Sequence, residues 1–372
     1  MWLEYQAARL IYFVSNLFLQ TVRRFFFGSP ICKNPKTILI YRTGHLGDTL
    51  CAIPAIKAVR ESFPNAHLIL MTNAEKGGFA FAKEILEPVV HFDEVIVYDP
   101  AKINSPNYIR GLCGNLRKKR IDFVFYLSGN TSTVYRLLRE MFFFKLCGCK
   151  GGVGFRLALH RFFKLAQRKF HTFDPEPLRF MKLVNQAGVS GELKWDIPRA
   201  SFQIPSTGQG PIVAVHPGAN FPVKKWPIER FIEVCRRLQD EHGAHMVIIG
   251  GESANAEAEA LSHGLNGKAV NLSGKTTILE TAEVLRQSRF LLSNDSGPVH
   301  LAAAVGTPVV ALFSAREYPN VWVPIGEKHQ VFRKDVPCQI CDLKVCPIMI
   351  CINHISSAEV YEACKGLLEE SR

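Results

Sequence analysis

The run Asn294-Asp295-Ser296-Gly297-Pro298-Val299-His300 places a carboxylate, a hydroxyl and an imidazole between an apolar strand-like stretch, Phe290–Ser293, and an apolar helix-like one, Leu301–Val305. Ser296 or Gly297 suits a helix N-cap, and Pro298 suits the first helical position, where a missing N–H costs nothing. A helix N-terminus there offers backbone N–H groups and the positive end of the helix dipole, which together fit a phosphate. An ordinary capped helix has the same signature, so the stretch alone leaves both readings open.

Two further turns repeat the theme. Arg42-Thr43-Gly44-His45-Leu46-Gly47-Asp48-Thr49 follows an apolar strand candidate and leads into a helical pattern, Leu50–Phe63. It meets neither the dinucleotide fingerprint Gly-x-Gly-x-x-Gly nor Walker A. Asp48 at the strand's carboxyl end can take a proton from a substrate hydroxyl, or simply cap the helix. Pro54 should make that helix start late or kink. Further on, His216-Pro217-Gly218-Ala219-Asn220 precedes Pro222-Val223-Lys224-Lys225-Trp226-Pro227. Two ammonium groups in such a loop suit a diphosphate, although a solvated surface pair reads the same way. After the next strand come Gly250-Gly251-Glu252, with Glu252 able to accept hydrogen bonds from ribose hydroxyls.

Positioning these turns requires parallel strands wrapped by helices. The strand candidates are Thr37–Tyr41, His67–Met71, Glu94–Val97, Asp122–Tyr126 and Gly152–Gly154, then Ile212–His216, Ala244–Ile249, Ala269–Asn271, Phe290–Ser293 and Pro308–Leu312. A polar stretch from Pro198 to Pro211 divides the two sets. The expected organisation is therefore α/β, with two Rossmann-like doubly wound domains, residues 35–200 and 208–372, facing a cleft at the carboxyl ends of their strands. The last helical pattern, Ser357–Glu369, can pack on either domain. Residues 1–34 form a separate amphipathic segment, aromatic and basic, too interrupted to span a bilayer and suited to lie in the plane of its surface. A helix docked on the protein's own core is the competing reading.

The chain of 372 residues carries a formal charge of +12, with 47% hydrophobic and 21% charged residues, a composition that excludes disorder. The charge is uneven. Residues 1–34 contribute +3, residues 110–120 contribute +5, and residues 141–173 contribute +7 without an acid, so the rest nets −3. Phosphates, acidic sugars and anionic lipid are the partners such a surface suits. Nucleic acid is not expected, since no helix-turn-helix, zinc-finger or RNA-binding signature is present. Eleven cysteines scattered through apolar segments do not form a secreted disulfide framework, so a cytoplasmic setting is expected. Cys338, Cys341, Cys346 and Cys351, spaced C-x2-C-x4-C-x4-C, are either free thiols or a structural metal site.

Taken in order and at these separations, the three motifs resemble the ADP-heptose:lipopolysaccharide heptosyltransferase family of glycosyltransferases, from about Thr37 to the C-terminal helix. The resemblance implies a GT-B fold and a metal-independent inverting transfer from a nucleotide-diphospho-sugar, with no cofactor. It implies Asp48 as general base and Lys224 beside the donor phosphates. His216, Gly218, Glu252, Thr276, Asp295, Ser296, Gly297 and His300 become donor-binding candidates. Arg42, with Lys145, Arg156, Arg161 and Lys164 of the basic stretch, is assigned to an anionic glycolipid acceptor. The implied enzyme works peripherally on the cytoplasmic face of the inner membrane, with ADP-heptose as the favoured donor. Transfer of another nucleotide-sugar to a lipid-linked glycan, and a catalytically silent glycolipid-binding or scaffold protein, are the alternatives. With no Asp-x-Asp motif in the chain, charge on the leaving group falls to Lys224 and a helix N-terminus. Transfer should therefore persist in EDTA; a rate that collapses on chelation and returns promptly with Mg²⁺ or Mn²⁺ would contradict this assignment.

Overall fold

The computed structural model describes residues 2–74, 81–129, 133–157, 173–205 and 209–370. The chain divides into two compact units, Met1–Lys194 and Trp195–Arg372. The break falls just ahead of the polar stretch at Pro198. Arg286 donates to the carbonyls of Ile197 and Pro198, and Gln287 donates to that of Phe202, so this stretch is strapped to the second unit.

Unit 1 runs α1 (Trp2–Phe27), β1 (Thr37–Tyr41), α2 (Leu46–Ser62), β2 (His67–Asn73), α3 (Phe81–Leu86), β3 (Glu94–Tyr98), α4 (Pro106–Lys118), β4 (Phe123–Tyr126), α5 (Val134–Leu146), β5 (Gly151–Val153) and α6 (Glu176–Asn185). Its five strands are all parallel in the order β3-β2-β1-β4-β5. Strands such as Thr-Ile-Leu-Ile-Tyr are apolar throughout because helices cover both faces of a parallel sheet. The helix α2 continues through Pro54 and begins at once after the Gly44 turn, so the expected delay does not arise. Its buried face, including Leu50, Ile53, Ile56 and Val59, holds it against the sheet and against α6.

Unit 2 runs β6 (Ile212–His216), α7 (Ile228–His242), β7 (His245–Ile248), α8 (Asn255–Gly264), β8 (Val270–Asn271), α9 (Ile278–Gln287), β9 (Phe290–Asn294), α10 (Gly297–Ala304), β10 (Val309–Phe313), β11 (His329–Arg333), α11 (Ile350–Asn353) and α12 (Ser357–Glu369). Six parallel strands lie in the order β11-β10-β9-β6-β7-β8. The final helix α12 packs on α7 within this unit. The edge strand β11 was not expected, because His-Gln-Val-Phe-Arg is only half-buried and lacks a strand's apolar pattern.

The N-terminal helix does not form a separate segment. Leu19 and Phe27 belong to the core of unit 1, with Phe27 stacked on Phe155 at 5.5 Å. Gln20 donates to the Phe155 carbonyl at 3.1 Å, and Asn16 accepts from the Leu157 N–H at 3.1 Å. Among the described residues, no helix is long and apolar enough to cross a membrane. Leu19→Ala should destabilise unit 1 by about 2–5 kcal/mol, the usual range for emptying a buried leucine site. Leu17→Ala, on the exposed face, should stay within about 0.5 kcal/mol. Thermal unfolding separates the two, and equal losses would mean that α1 is not docked through this face.

Candidate functional site

In unit 1 the strand order reverses between β1 and β4, the place where open α/β sheets bind ligands. The turn after β1 lies against the chain after β4 there, with Thr43 Oγ1 and Ser128 Oγ 3.0 Å apart. Asp48 is the third residue of α2, and its two oxygens have different surroundings. Oδ2 accepts the His45 N–H at 3.0 Å and closes a capping box. Oδ1 faces Gly129, where a Cβ would lie 3.7 Å away. Gly44 is fixed by this arrangement, since it sits at φ +129° and a Cβ on it would stand 2.9 Å from Asp48 Oδ2.

Arg42, expected to face an acceptor, is enclosed. It is 0% exposed, with its guanidinium donating to the carbonyls of Thr43 and Leu127 and lying 5.3 Å from the Phe180 ring centre. Burial lowers its pKa from the ordinary arginine value, while Asp48, Cys51 and Glu176 pull it back up. Behind it, Arg179 grips the buried carboxylate of Glu176 at 2.6–2.9 Å. Arg42 is thus a buried cation that ties the ends of β1 and β4 together beneath Asp48. Lys145 at the end of α5 and Arg156 after β5 are exposed, as an acceptor contact requires. Arg161 and Lys164 lie outside the described residues.

In unit 2 the order reverses between β6 and β9, and the loops leaving those two strands meet through an ion pair. Lys224 Nζ is 2.7 Å from Asp295 Oδ2 and 3.5 Å from Glu317 Oε1. Burial alone would push the ammonium toward neutrality, but the two carboxylates hold its pKa above the ordinary lysine value. Lys225 turns elsewhere and pairs with Glu257. Ser296 occupies the N-cap position of α10, yet its hydroxyl donates back to the Asn294 carbonyl at 3.1 Å and does not cap the helix. Gly297 is the first helical residue and Pro298 the second. His300 is buried one turn in, edge-on to Trp322 at 6.2 Å.

His216 is buried, with Nδ1 2.9 Å from the Ile249 carbonyl and its pKa lowered chiefly by desolvation. It lies beneath the Gly218 turn. A Cβ on Gly218 would come 2.6 Å from that of Ala254 and 3.1 Å from His216 Cε1, so only glycine fits. Glu252 is exposed in a single 3-10 turn after β7, and the loop after β8 lies beside it, tied by Gly274 N to Gly250 O at 2.8 Å. Thr276 in that loop bonds Thr281 at 2.9 Å. Among the described residues, no three histidine, cysteine or acidic side chains are placed to share a metal ion, so the four C-terminal cysteines do not form a cluster. Cys351 packs instead with Ala315 and Val336.

Sequence reasoning missed three residues of this unit. Asn294, fully buried, accepts the Trp226 N–H at 3.0 Å and donates to the Pro217 carbonyl at 2.7 Å, clamping the Lys224 loop to the end of β9. Arg316 and Glu317 follow β10. Arg316 pairs with Glu317 and holds Asp342 and the Leu343 carbonyl at 2.8–3.1 Å. The rule that ligands gather beyond strand carboxyl ends was the available signal for all three. Asn294→Ala should destabilise unit 2 by about 1–3 kcal/mol, because it leaves buried backbone groups unsatisfied. Asn294→Asp should fail to restore the donor half of the clamp; full stability in thermal melts of either variant would remove the clamp from this account.

Comparison with known proteins gives a concordant result. The family model described as glycosyltransferase family 9 (heptosyltransferase) matches residues 154–350, more than half of the chain. Lipooligosaccharide heptosyltransferase 2 of Campylobacter jejuni is 23% identical over 90% of this chain and 99% of its own length. Lipopolysaccharide heptosyltransferase 2 of Escherichia coli is 31% identical over 35% of this chain and 38% of its own. Among solved structures, a family 9 glycosyl transferase from Veillonella parvula matches with a TM-score of 0.68 at 20% identity, covering 90% of this chain and 98% of that one. The ADP-heptose lipopolysaccharide heptosyltransferase II of E. coli matches with a TM-score of 0.63 at 20% identity, covering 89% and 98%. The two parallel-sheet units are of the GT-B type seen in those structures. With the family's motif residues at the carboxyl ends of both sheets and its model spanning most of the second half, the chain belongs to glycosyltransferase family 9, the heptosyltransferases.

Proposed function

We propose that this enzyme transfers heptose from ADP-heptose, with inversion, to the core of a lipopolysaccharide or a related anionic glycolipid, working peripherally at the cytoplasmic face of a membrane. The observation that carries the reading is the buried Lys224–Asp295 pair at the switch point of unit 2, beside the start of α10. The names of the heptosyltransferase relatives support the sugar and acceptor class. In this reading Asp48 Oδ1 takes the proton of an acceptor hydroxyl, whose oxygen then forms the new bond to the anomeric carbon. The bond from that carbon to the diphosphate breaks, and its electron pair leaves on ADP. Lys224 and the α10 N-terminus stabilise the growing charge. Asp295 and His300 face the sugar, and Glu252 the ribose. Lys145 and Arg156 contact acceptor phosphate. Asp48 can serve both as cap and as base because Oδ2 alone makes the cap.

Three measurements test this. ADP-heptose should raise the melting temperature of the protein where UDP- and GDP-sugars do not, since a ligand bound only by the folded state stabilises it by mass action. A UDP or GDP preference would overturn the donor assignment. Asp48→Asn should keep donor binding and lose roughly 10²–10⁴ in transfer rate; turnover within a few-fold of wild type would leave Asp48 as a cap only. Lys224→Ala should weaken ADP binding by about 10–100-fold, the scale of a lost charge-assisted contact, whereas Lys225→Ala should change it little. Equal losses in calorimetric titration would assign the phosphate contact wrongly.

A further inference from the structure

The first helix carries apolar residues on both of its sides. Its buried side carries Asn16, 7% exposed, and Arg23, 5% exposed, beside Leu19 and Phe27. Its opposite side exposes Leu10, Phe13, Val14, Leu17 and Phe18, each at 50% or more, and ends in Phe25 at 84%. At 100° per residue these six positions fall on one arc of the helix, which among the residues with described side chains also holds Ala7, Thr21 and Arg24. Scattered exposed apolar residues need no explanation, but a contiguous strip this long marks an interaction surface.

Specific hydrogen bonds impose this orientation. Arg23 donates to the Gly152 carbonyl at 3.3 Å and to Gln20 at 3.1 Å, while Gln20 and Asn16 engage the backbone of Phe155 and Leu157. Beside α1, the packed helix α5 exposes Tyr135, Phe142 and Leu146 along its own outer stripe. Among the described side chains the exposed charges near this strip are cationic: Arg9 and Arg24 on α1 and Lys145 on α5, with Arg139 paired to Glu140.

From this geometry we infer that the outer faces of α1 and α5 form a rigid docking surface for an anionic lipid bilayer, with the apolar strip entering the acyl boundary and the arginines meeting phosphate headgroups. Charge complementarity selects lipid over a second copy of the chain, since pairing two such faces would bring their arginines together. Because the helix is locked to the β5 edge, the surface fixes the orientation of unit 1 on the membrane and is not a loose tether. The inference rests on the glycolipid reading only for its purpose; the surface itself is read from α1 and α5.

The test is co-sedimentation of the full-length protein with vesicles of phosphatidylglycerol and phosphatidylethanolamine, against pure phosphatidylcholine. Wild type should bind the anionic vesicles and release as salt rises. Phe13→Glu with Leu17→Glu should weaken partitioning at least about tenfold, since two side chains lose their apolar burial, with the melting temperature unchanged. Arg24→Glu should weaken it and flatten the salt dependence. Wild type that stays in the supernatant, or a double variant that sediments like wild type, overturns the inference. So does a dimer in sedimentation equilibrium that the same substitutions split while vesicle binding is unaffected. Vesicle binding without heptose transfer to a detergent-dispersed acceptor would leave this surface standing and count against the proposed reaction alone.

Discussion

A lysine whose side chain is 12% exposed can keep its charge only if the protein supplies counter-charge, and unit 2 is arranged around that requirement. Asp295 provides it at 2.7 Å and Glu317 at 3.5 Å, from the ends of two neighbouring strands. A buried ion pair of this kind contributes little net stability, because desolvation offsets most of the attraction. In the proposed reading its place at a strand switch point serves ligand binding. An ammonium already stripped of water and fixed in place can meet a diphosphate without first being desolvated or ordered. The neighbours serve the same end: Asn294 fixes the backbone at Trp226, and Arg316 orients Glu317 while holding the segment around Asp342.

Unit 1 solves a different problem with one residue. A carboxylate in the first turn of a helix sits favourably beside the backbone N–H groups and the positive end of the dipole. Asp48 satisfies the cap with Oδ2 and leaves Oδ1 toward Gly129, the oxygen that the proposed reaction would use as base. The missing side chain at Gly44 gives the carboxylate its space. Arg42, fully enclosed, adds positive charge behind the turn and holds the backbone at Leu127, which keeps the ends of β1 and β4 at a fixed spacing.

Much of this was legible in the sequence because parallel sheets announce themselves: ten strands are apolar runs, and each site turn follows one of them. Lys224 was separable from Lys225 only through the family register, since spacing treats two adjacent lysines alike, and the structure distinguishes them by their partners Asp295 and Glu257. The full burial of Arg42 was not legible, because an arginine at a strand end resembles an anion contact and only tertiary packing beside Phe180 encloses it. The burial of His216 was hidden for the same reason. Asn294, Arg316 and Glu317 were passed over because their partners are distant in sequence. The strand β11 was invisible because an edge strand needs hydrogen-bond partners more than an apolar pattern.

On the N-terminal helix the hydrophobic pattern alone does not say which arc faces the core. Amphipathicity assigns one apolar arc to the core, whereas α1 buries Asn16 and Arg23 among Tyr12, Leu19, Val22, Phe26 and Phe27 and carries a second apolar arc on its outer side. The choice follows from what the β5 edge presents. The carbonyls of Gly152 and Phe155 and the N–H of Leu157 lie at the end of the sheet, and an apolar helix face laid over them would leave these groups unpaired. Arg23, Gln20 and Asn16 satisfy them, while Leu19 and Phe27 fill the space between. Satisfying the sheet edge therefore fixes the rotation of the helix. The apolar arc is turned outward as a consequence, which is the face the proposed lipid surface would cover.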